Sequence, residues 1–219
     1  FASGLAAMDA VIKLLGPGGE VIATHDLYGG SYRLFRQVFE PLGIRFRFTD
    51  MRSVEGVAAL MGENTRLIWV ETPTNPMMNI VDIRALASLA KTHGVLLAVD
   101  NTFATPYLQQ PLELGADIVM HSATKYIDGQ GRCIGGVVVG RQAEMEEVFG
   151  FIRTGGTCMS PFNAWVLVKS LETLALRVHH QTRSAERIAG LVRSLRSYAR
   201  PTAERIDDLD VRDGIEETL

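Results

Sequence analysis

Lys125 stands in Ser122-Ala123-Thr124-Lys125-Tyr126, directly after the apolar run Ile118 to Met120. An ammonium is costly to desolvate unless it is paired or its pKa falls, and the neutral amine that results is the form that attacks a carbonyl to make an imine. Taken alone, Lys125 reads first as a lysine pointing into water, the common case. Its company points to chemistry. Asp100 closes the apolar run Leu96 to Val99, and a carboxylate there can pair with a protonated ring nitrogen and keep a heteroaromatic ring an electron sink. Ser3-Gly4-Leu5 opens a helical stretch and offers a hydroxyl and two backbone N–H groups to a phosphate at the positive end of the helix dipole. Ser122 and Thr124 flank the lysine with two further hydroxyls. Tyr28, in Leu27-Tyr28-Gly29-Gly30, supplies a ring that can stack on a flat ligand, with two glycines leaving room for it. Helix capping is the plain alternative for Asp100 and for Ser3.

These residues need a scaffold that gathers them. Apolar, β-branched runs alternate with amphipathic stretches between Glu20 and Gly140, the signature of parallel strands joined by helices. Strands are expected at Val21–Thr24, Ile44–Thr49, Leu67–Glu71, Leu96–Asp100, Ile118–His121 and Gly136–Val139, and helices at Ser31–Glu40, Ser53–Met61 and Ile83–His93. The fold class is α/β, doubly wound, with helices on both faces of the sheet. In such a sheet ligands bind beyond the carboxyl ends of the strands. Asp100-Asn101-Thr102, Glu71-Thr72-Pro73-Thr74-Asn75-Pro76 and His121 to Tyr126 all fall there. From Ser160 the pattern becomes helical, Pro161–His179 and then Gln181–Leu195. The expected organisation is a ligand-binding large domain over 1–159, connector helices over 160–197 and a polar, acidic tail over 198–219.

The 219 residues, 47% hydrophobic and 21% charged, suffice for a substantial core. A net charge of -3 gives no basic surplus for nucleic acid or an anionic membrane surface, and no apolar run reaches the roughly 20 residues that span a bilayer. Cys133 and Cys158 lie 25 residues apart without metal-type spacing, which reads as two reduced thiols in a cytoplasmic protein. His179-His180 is adjacent rather than a helical turn apart, so no metal site is expected. His121 is expected to pack in the sheet. The chain enters a Ser-Gly turn directly after Phe1, from which an upstream segment is expected.

In this order, Ser3-Gly4-Leu5, Tyr28-Gly29-Gly30, Glu71-Thr72-Pro73-Thr74-Asn75-Pro76, Val99-Asp100-Asn101-Thr102-Phe103 and Ser122-Ala123-Thr124-Lys125-Tyr126 resemble the Cys/Met-metabolism family of enzymes dependent on pyridoxal 5'-phosphate (PLP), from Phe1 to about Leu195. The resemblance implies the fold type I, aspartate-aminotransferase-like architecture and a homo-oligomer, a dimer of dimers. It assigns Lys125 as the imine lysine and proton shuttle, Asp100 as partner of the pyridine nitrogen, and Asn75 as hydrogen-bonded to the phenolic oxygen. Tyr28 is implied as the stacking ring that assists departure of the γ-substituent, Ser3, Gly4, Leu5, Ser122 and Thr124 as phosphate ligands, and Glu71 as support. The segment Tyr126-Ile127-Asp128-Gly129-Gln130-Gly131-Arg132-Cys133 is similar to the O-succinylhomoserine sulfhydrylase branch, which implies γ-replacement on a homoserine ester by a sulfur nucleophile. The other readings are a cystathionine or methionine γ-lyase and a non-catalytic fragment. Two family features, a Tyr-x-Arg segment that reaches the neighbouring subunit's phosphate and a C-terminal arginine for the substrate carboxylate, have no counterpart in this sequence.

Overall fold

The computed structural model describes residues 1–199. The acidic stretch after Arg200 lies outside the described residues. Six strands, β1 (Glu20–Thr24), β2 (Arg45–Thr49), β3 (Thr65–Glu71), β4 (Leu96–Asp100), β5 (Ile118–Ser122) and β6 (Gly136–Gly140), form one sheet in the order β2-β1-β3-β4-β5-β6. The first five run parallel. The sheet is mostly parallel, as expected, and β6 is the exception: it pairs antiparallel to β5, with Ser122 opposite Gly136. A parallel return requires a crossover of a dozen or more residues, usually a helix, and residues 123–135 form turns and loop instead of a crossover helix.

Strand residues alternate between two cores, as the pleat requires. Val21, Ala23, Leu67, Trp69, Ala98, Ile118 and Met120 pack on one face with Met8, Phe35 and Phe39. Ile22, Ile68, Val70, Leu97 and Val99 pack on the other with Leu86 and Ala90. Both faces of the central strands are covered, which is why those strands are apolar at nearly every position, whereas the edge strand β2 alternates Arg45 and Arg47 on its exposed side with Phe46 in the core.

Helix α1 (Gly4–Lys13) begins where the Ser3 hydroxyl accepts from the Ala6 N–H at 3.1 Å, and it buries Ala7, Met8, Val11 and Ile12 against the sheet. The helix after β1 is α2 (Gly29–Arg33), which continues into a wider π-helical segment, Leu34–Phe39. A short α3 (Val54–Ala58) is capped by Ser53. Helix α4 (Ile83–His93) starts at an Asp82 cap and stops at Gly94, whose φ of 64° suits a residue without Cβ. A single turn, α5 (Thr105–Leu108), follows β4.

Helix α6 (Gln142–Gly155) is not among the helices expected from the sequence, and only Val148 along it is buried. The later helices break earlier than their sequence suggests, into α7 (Pro161–Leu171) and α8 (Leu174–Ala199), so His179-His180 continue a helix. The chain divides into two compact units, Phe1–Leu174 and a second beginning at Ala175. Within the first, Leu167 of α7 packs on Ala123 and Ile127. Among the described residues no helix is long and apolar enough to cross a membrane.

Candidate active site

The strand order reverses between β1 and β3, and that switch point marks the crevice where such sheets bind ligands. Tyr28 lies beyond the end of β1, Glu71 ends β3, Asp100 ends β4 and Ser122 ends β5. Register sets Glu71 beside Asp100 and Asp100 beside Met120. The predicted residues from four chain segments therefore share one sheet edge.

Helix α1 brings its N-terminus to the same edge. A Cβ on Gly4 would stand 2.8 Å from the Ser122 Cβ, so only glycine lets the first turn approach β5 this closely. The Ser3 hydroxyl is occupied as an N-cap, leaving the N–H groups of Gly4 and Leu5, the first two of the helix, without a protein acceptor among the described residues. They lie next to Ser122 at the positive end of the helix. A phosphate needs such a donor set.

Asp100 is 7% exposed. One of its oxygens accepts from the Thr102 N–H at 3.0 Å and from the Thr102 hydroxyl at 2.6 Å. The same hydroxyl accepts from the Ser122 N–H at 2.8 Å. Thr102 thus ties the carboxylate to the strand that carries Ser122 and, three residues on, Lys125. The sequence shows Thr102 within a motif but gives no sign of this bridging role. Burial pushes Asp100 up to about 6, against the opposing Thr102 hydrogen bonds. Glu71 rises to about 8, through burial first and then the neighbouring Asp100 charge. His121 is buried in β5, and desolvation lowers it to about 4, so it stays neutral and packs as expected.

Lys125 is exposed, in a tight turn where its N–H donates to the Ser122 carbonyl at 3.1 Å and its carbonyl accepts from the Gly129 N–H at 2.7 Å. Two clamps hold that turn. The Thr124 hydroxyl, expected at the phosphate, accepts from the Gly135 N–H at 3.1 Å and lies 3.3 Å from the Gly135 carbonyl. On the other side, the fully buried Asp128 carboxylate accepts from the Gln130 and Arg132 N–H groups and from the Arg132 guanidinium, which also donates to the Ser170 hydroxyl in α7. Asn75 is half-buried in the loop after β3, and its amide makes no hydrogen bond among the described residues. Its loop is organised by Asp26, which accepts from the Thr74 hydroxyl and the Met77 N–H. No sequence signal marks Asp26 for that task. Beneath the site, the buried Asn101 amide donates to the Thr105 and Gln109 carbonyls, and the Gln109 side chain reaches the Thr72 carbonyl.

The donor set fits PLP: uncommitted helix N–H groups for the phosphate, a buried carboxylate for a pyridinium, an exposed ring at Tyr28 and a lysine on a rigid turn. Without a cation beside it, the buried acid pair costs stability. Both carboxyls bind a proton more tightly folded than unfolded, so the stability they allow is present below about pH 4 and is lost as pH rises through about 6 and then 8. Asp100→Asn keeps an oxygen acceptor for Thr102 and removes the charge. It is expected to raise the Tm of the cofactor-free protein at pH 8 by roughly 5 °C, with little change at pH 4. Thermal unfolding at the two pH values checks this, and equal shifts at both would refute it.

Residues 1–197 match the family described as Cys/Met metabolism PLP-dependent enzyme. O-succinylhomoserine sulfhydrylase of Pseudomonas aeruginosa is 49% identical over 86% of this chain and 47% of its own length. Cystathionine gamma-lyase of Bacillus subtilis is 46% identical, over 88% and 51% respectively. The crystal structure of metB from Corynebacterium glutamicum superposes with a TM-score of 0.79 at 46% identity, over 80% of this chain and 46% of that one. The chain spans about half the length of the curated relatives it matches. The sheet, the helix N-terminus set against β5, the buried aspartate and the lysine turn are those of a fold type I large domain, and the chain belongs to the Cys/Met metabolism family of PLP-dependent enzymes.

Proposed function

We propose that the chain supplies the cofactor-binding half of a γ-replacement enzyme, which joins a sulfur nucleophile to a homoserine ester such as O-succinylhomoserine. The observation that carries this reading is the joining of Asp100, Thr102 and Ser122 in one hydrogen-bonded line with the Lys125 turn and the α1 N-terminus. Bound PLP supplies the electron sink that makes the substrate's α- and β-protons removable.

The chain's own residues do the rest. The N–H groups of Gly4 and Leu5, with Ser122, hold the phosphate. Asp100 would keep the ring nitrogen protonated, and Asn75 would donate to the ring oxygen. Tyr28 covers the ring face and assists departure of the γ-substituent. Lys125 Nζ would anchor the cofactor covalently and, once the substrate's amine has displaced it, would act as a free amine that moves protons at the substrate's α- and β-carbons. The Thr124 and Asp128 clamps fix where that amine can reach. Action within a homo-oligomer is supported by the exposed apolar side chains of Met77, Met78, Tyr107 and Leu108. A cytoplasmic setting is supported by the free thiols Cys133 and Cys158.

The test is an absorbance spectrum after adding PLP, followed by borohydride reduction and peptide mapping. A new long-wavelength band with the reduced label on Lys125 is the expected result, and a label elsewhere would overturn the site. Product analysis then separates the chemistry. Homocysteine from O-succinylhomoserine and sulfide supports replacement, whereas a 2-oxo acid released from cystathionine would favour the γ-lyase reading. Failure of the folded chain to take up PLP at all would favour a non-catalytic fragment.

A further inference from the structure

We infer that Glu71 is a positioning residue which sets the Tyr28 ring from across the crevice between β1 and β3. The inference rests on the PLP reading of the site. Glu71 is 4% exposed and acidic, an unusual residue to bury without a cation. Among the described residues, Glu71 makes no hydrogen bond or ion pair with Lys, Arg or His. Its Oε2 instead accepts from the Tyr28 N–H at 2.9 Å. The contact links residues 43 positions apart and spans the point where the strand order reverses.

Both ends of that contact are constrained. The Glu71 backbone is fixed by its N–H to the Thr24 hydroxyl at 3.2 Å and by its place beside Asp100 in the sheet. Tyr28 forms the N-cap of α2 but makes no side-chain capping bond. Its ring is 46% exposed and held only by what surrounds it. The surface beneath the ring is Gly30, where a Cβ would lie 2.2 Å from the Tyr28 Cε1 and 2.8 Å from its Cζ. The buried Glu71 carboxyl holds the Tyr28 backbone from one side, and a bare glycine admits its ring from the other. Anchored this way, the ring needs little ordering when a flat ligand arrives. The same acid flanks Asp100, so one buried side chain serves both the residue for the ring nitrogen and the residue for the ring face.

Three variants of the full chain test this. Glu71→Ala is expected to speed hydrogen exchange of the Tyr28 amide in the cofactor-free protein by about tenfold, the loss of a buried hydrogen bond. It should also weaken PLP binding, followed by absorbance, by about tenfold, the worth of one aromatic stacking contact. Glu71→Gln, which keeps an oxygen acceptor, should restore both to within about threefold. Gly30→Ala should weaken PLP binding to a similar degree while leaving Tyr28 amide exchange slow, because it displaces the ring and spares the N–H. A purely structural role for Glu71 would not separate amide exchange from ring placement in this way. Tyr28 exchange indifferent to Glu71→Ala, or PLP affinity indifferent to both Glu71→Ala and Gly30→Ala, overturns the positioning role. Absence of a Lys125-linked band in the unmodified chain counts against the cofactor reading instead, so the two failures are told apart.

Discussion

Replacing Lys125 by Ala is expected to abolish the borohydride-trapped cofactor label entirely while leaving the fold intact. The side chain is exposed, and the turn that carries it is held by backbone atoms, by Thr124 on Gly135 and by Asp128 on Arg132. Surface substitutions of this kind stay within about 0.5 kcal/mol, which for a chain of this size is a Tm change below about 2 °C. The proposed covalent link, by contrast, has no substitute, because it needs a neutral amine and residues 122–135 carry no other lysine. PLP held only through phosphate, Asp100 and Tyr28 should then bind reversibly and dialyse away. Spectra before and after dialysis, with calorimetry on both proteins, measure the two effects together. Retention of the trapped label in Lys125→Ala would move the attachment to another amine.

Most of this was legible in the sequence. The six strands fall within two residues of where they are expected, because the central strands are covered on both faces and the edge strand β2 alternates Arg and Phe with the pleat. Residues at strand ends could be ranked because polar, reactive types stand out after an apolar run, which is how Asp100, Glu71 and Ser122 emerge. The direction of β6 was not legible. Gly136–Gly140 pairs either way on its own residues, and direction is settled by the connection, whose 13 positions are taken up by the lysine turn and its clamps. Helix α6 escaped notice although Met145, Val148, Phe149 and Ile152 keep a helical spacing, and among the described residues it buries only Val148 fully.

Contacts between distant segments were equally hidden. Thr102 on Ser122, Asp26 on Thr74 and Glu71 on Tyr28 are spaced 20, 48 and 43 residues apart, and no local pattern encodes them. They exist because parallel strands bring their carboxyl ends together whatever the sequence between them. Thr124 illustrates the converse. Its spacing from Lys125 suggests a phosphate ligand, yet its hydroxyl meets the Gly135 backbone.

Gly136→Ala should damage stability and phosphate binding together, because one backbone contact serves both. A Cβ at this position would stand 2.2 Å from the Ser3 carbonyl oxygen, 2.7 Å from its carbon and 2.9 Å from the Ala7 Cβ. Two of these are backbone atoms at the start of α1, which no rotamer change can move. Relief requires shifting either α1 or β6. Helix α1 buries Ala7, Met8, Val11 and Ile12 in the core, while β6 is tied along its length to β5 and through the Gly136 N–H to the Phe1 carbonyl at 2.9 Å. Overpacking a site so confined costs about 2–3 kcal/mol, or a Tm lowered by roughly 8 °C. Any compromise also lifts the first turn away from Ser122 and displaces the Gly4 and Leu5 N–H groups from the phosphate position. PLP affinity should therefore fall by about tenfold or more even at temperatures where the variant is folded. Pyridoxal, which lacks the phosphate, should lose little. That contrast separates displacement of the phosphate seat from general loosening: equal losses for the two ligands would mean that α1 does not hold the phosphate, and an unchanged Tm would mean that the helix does not press on β6.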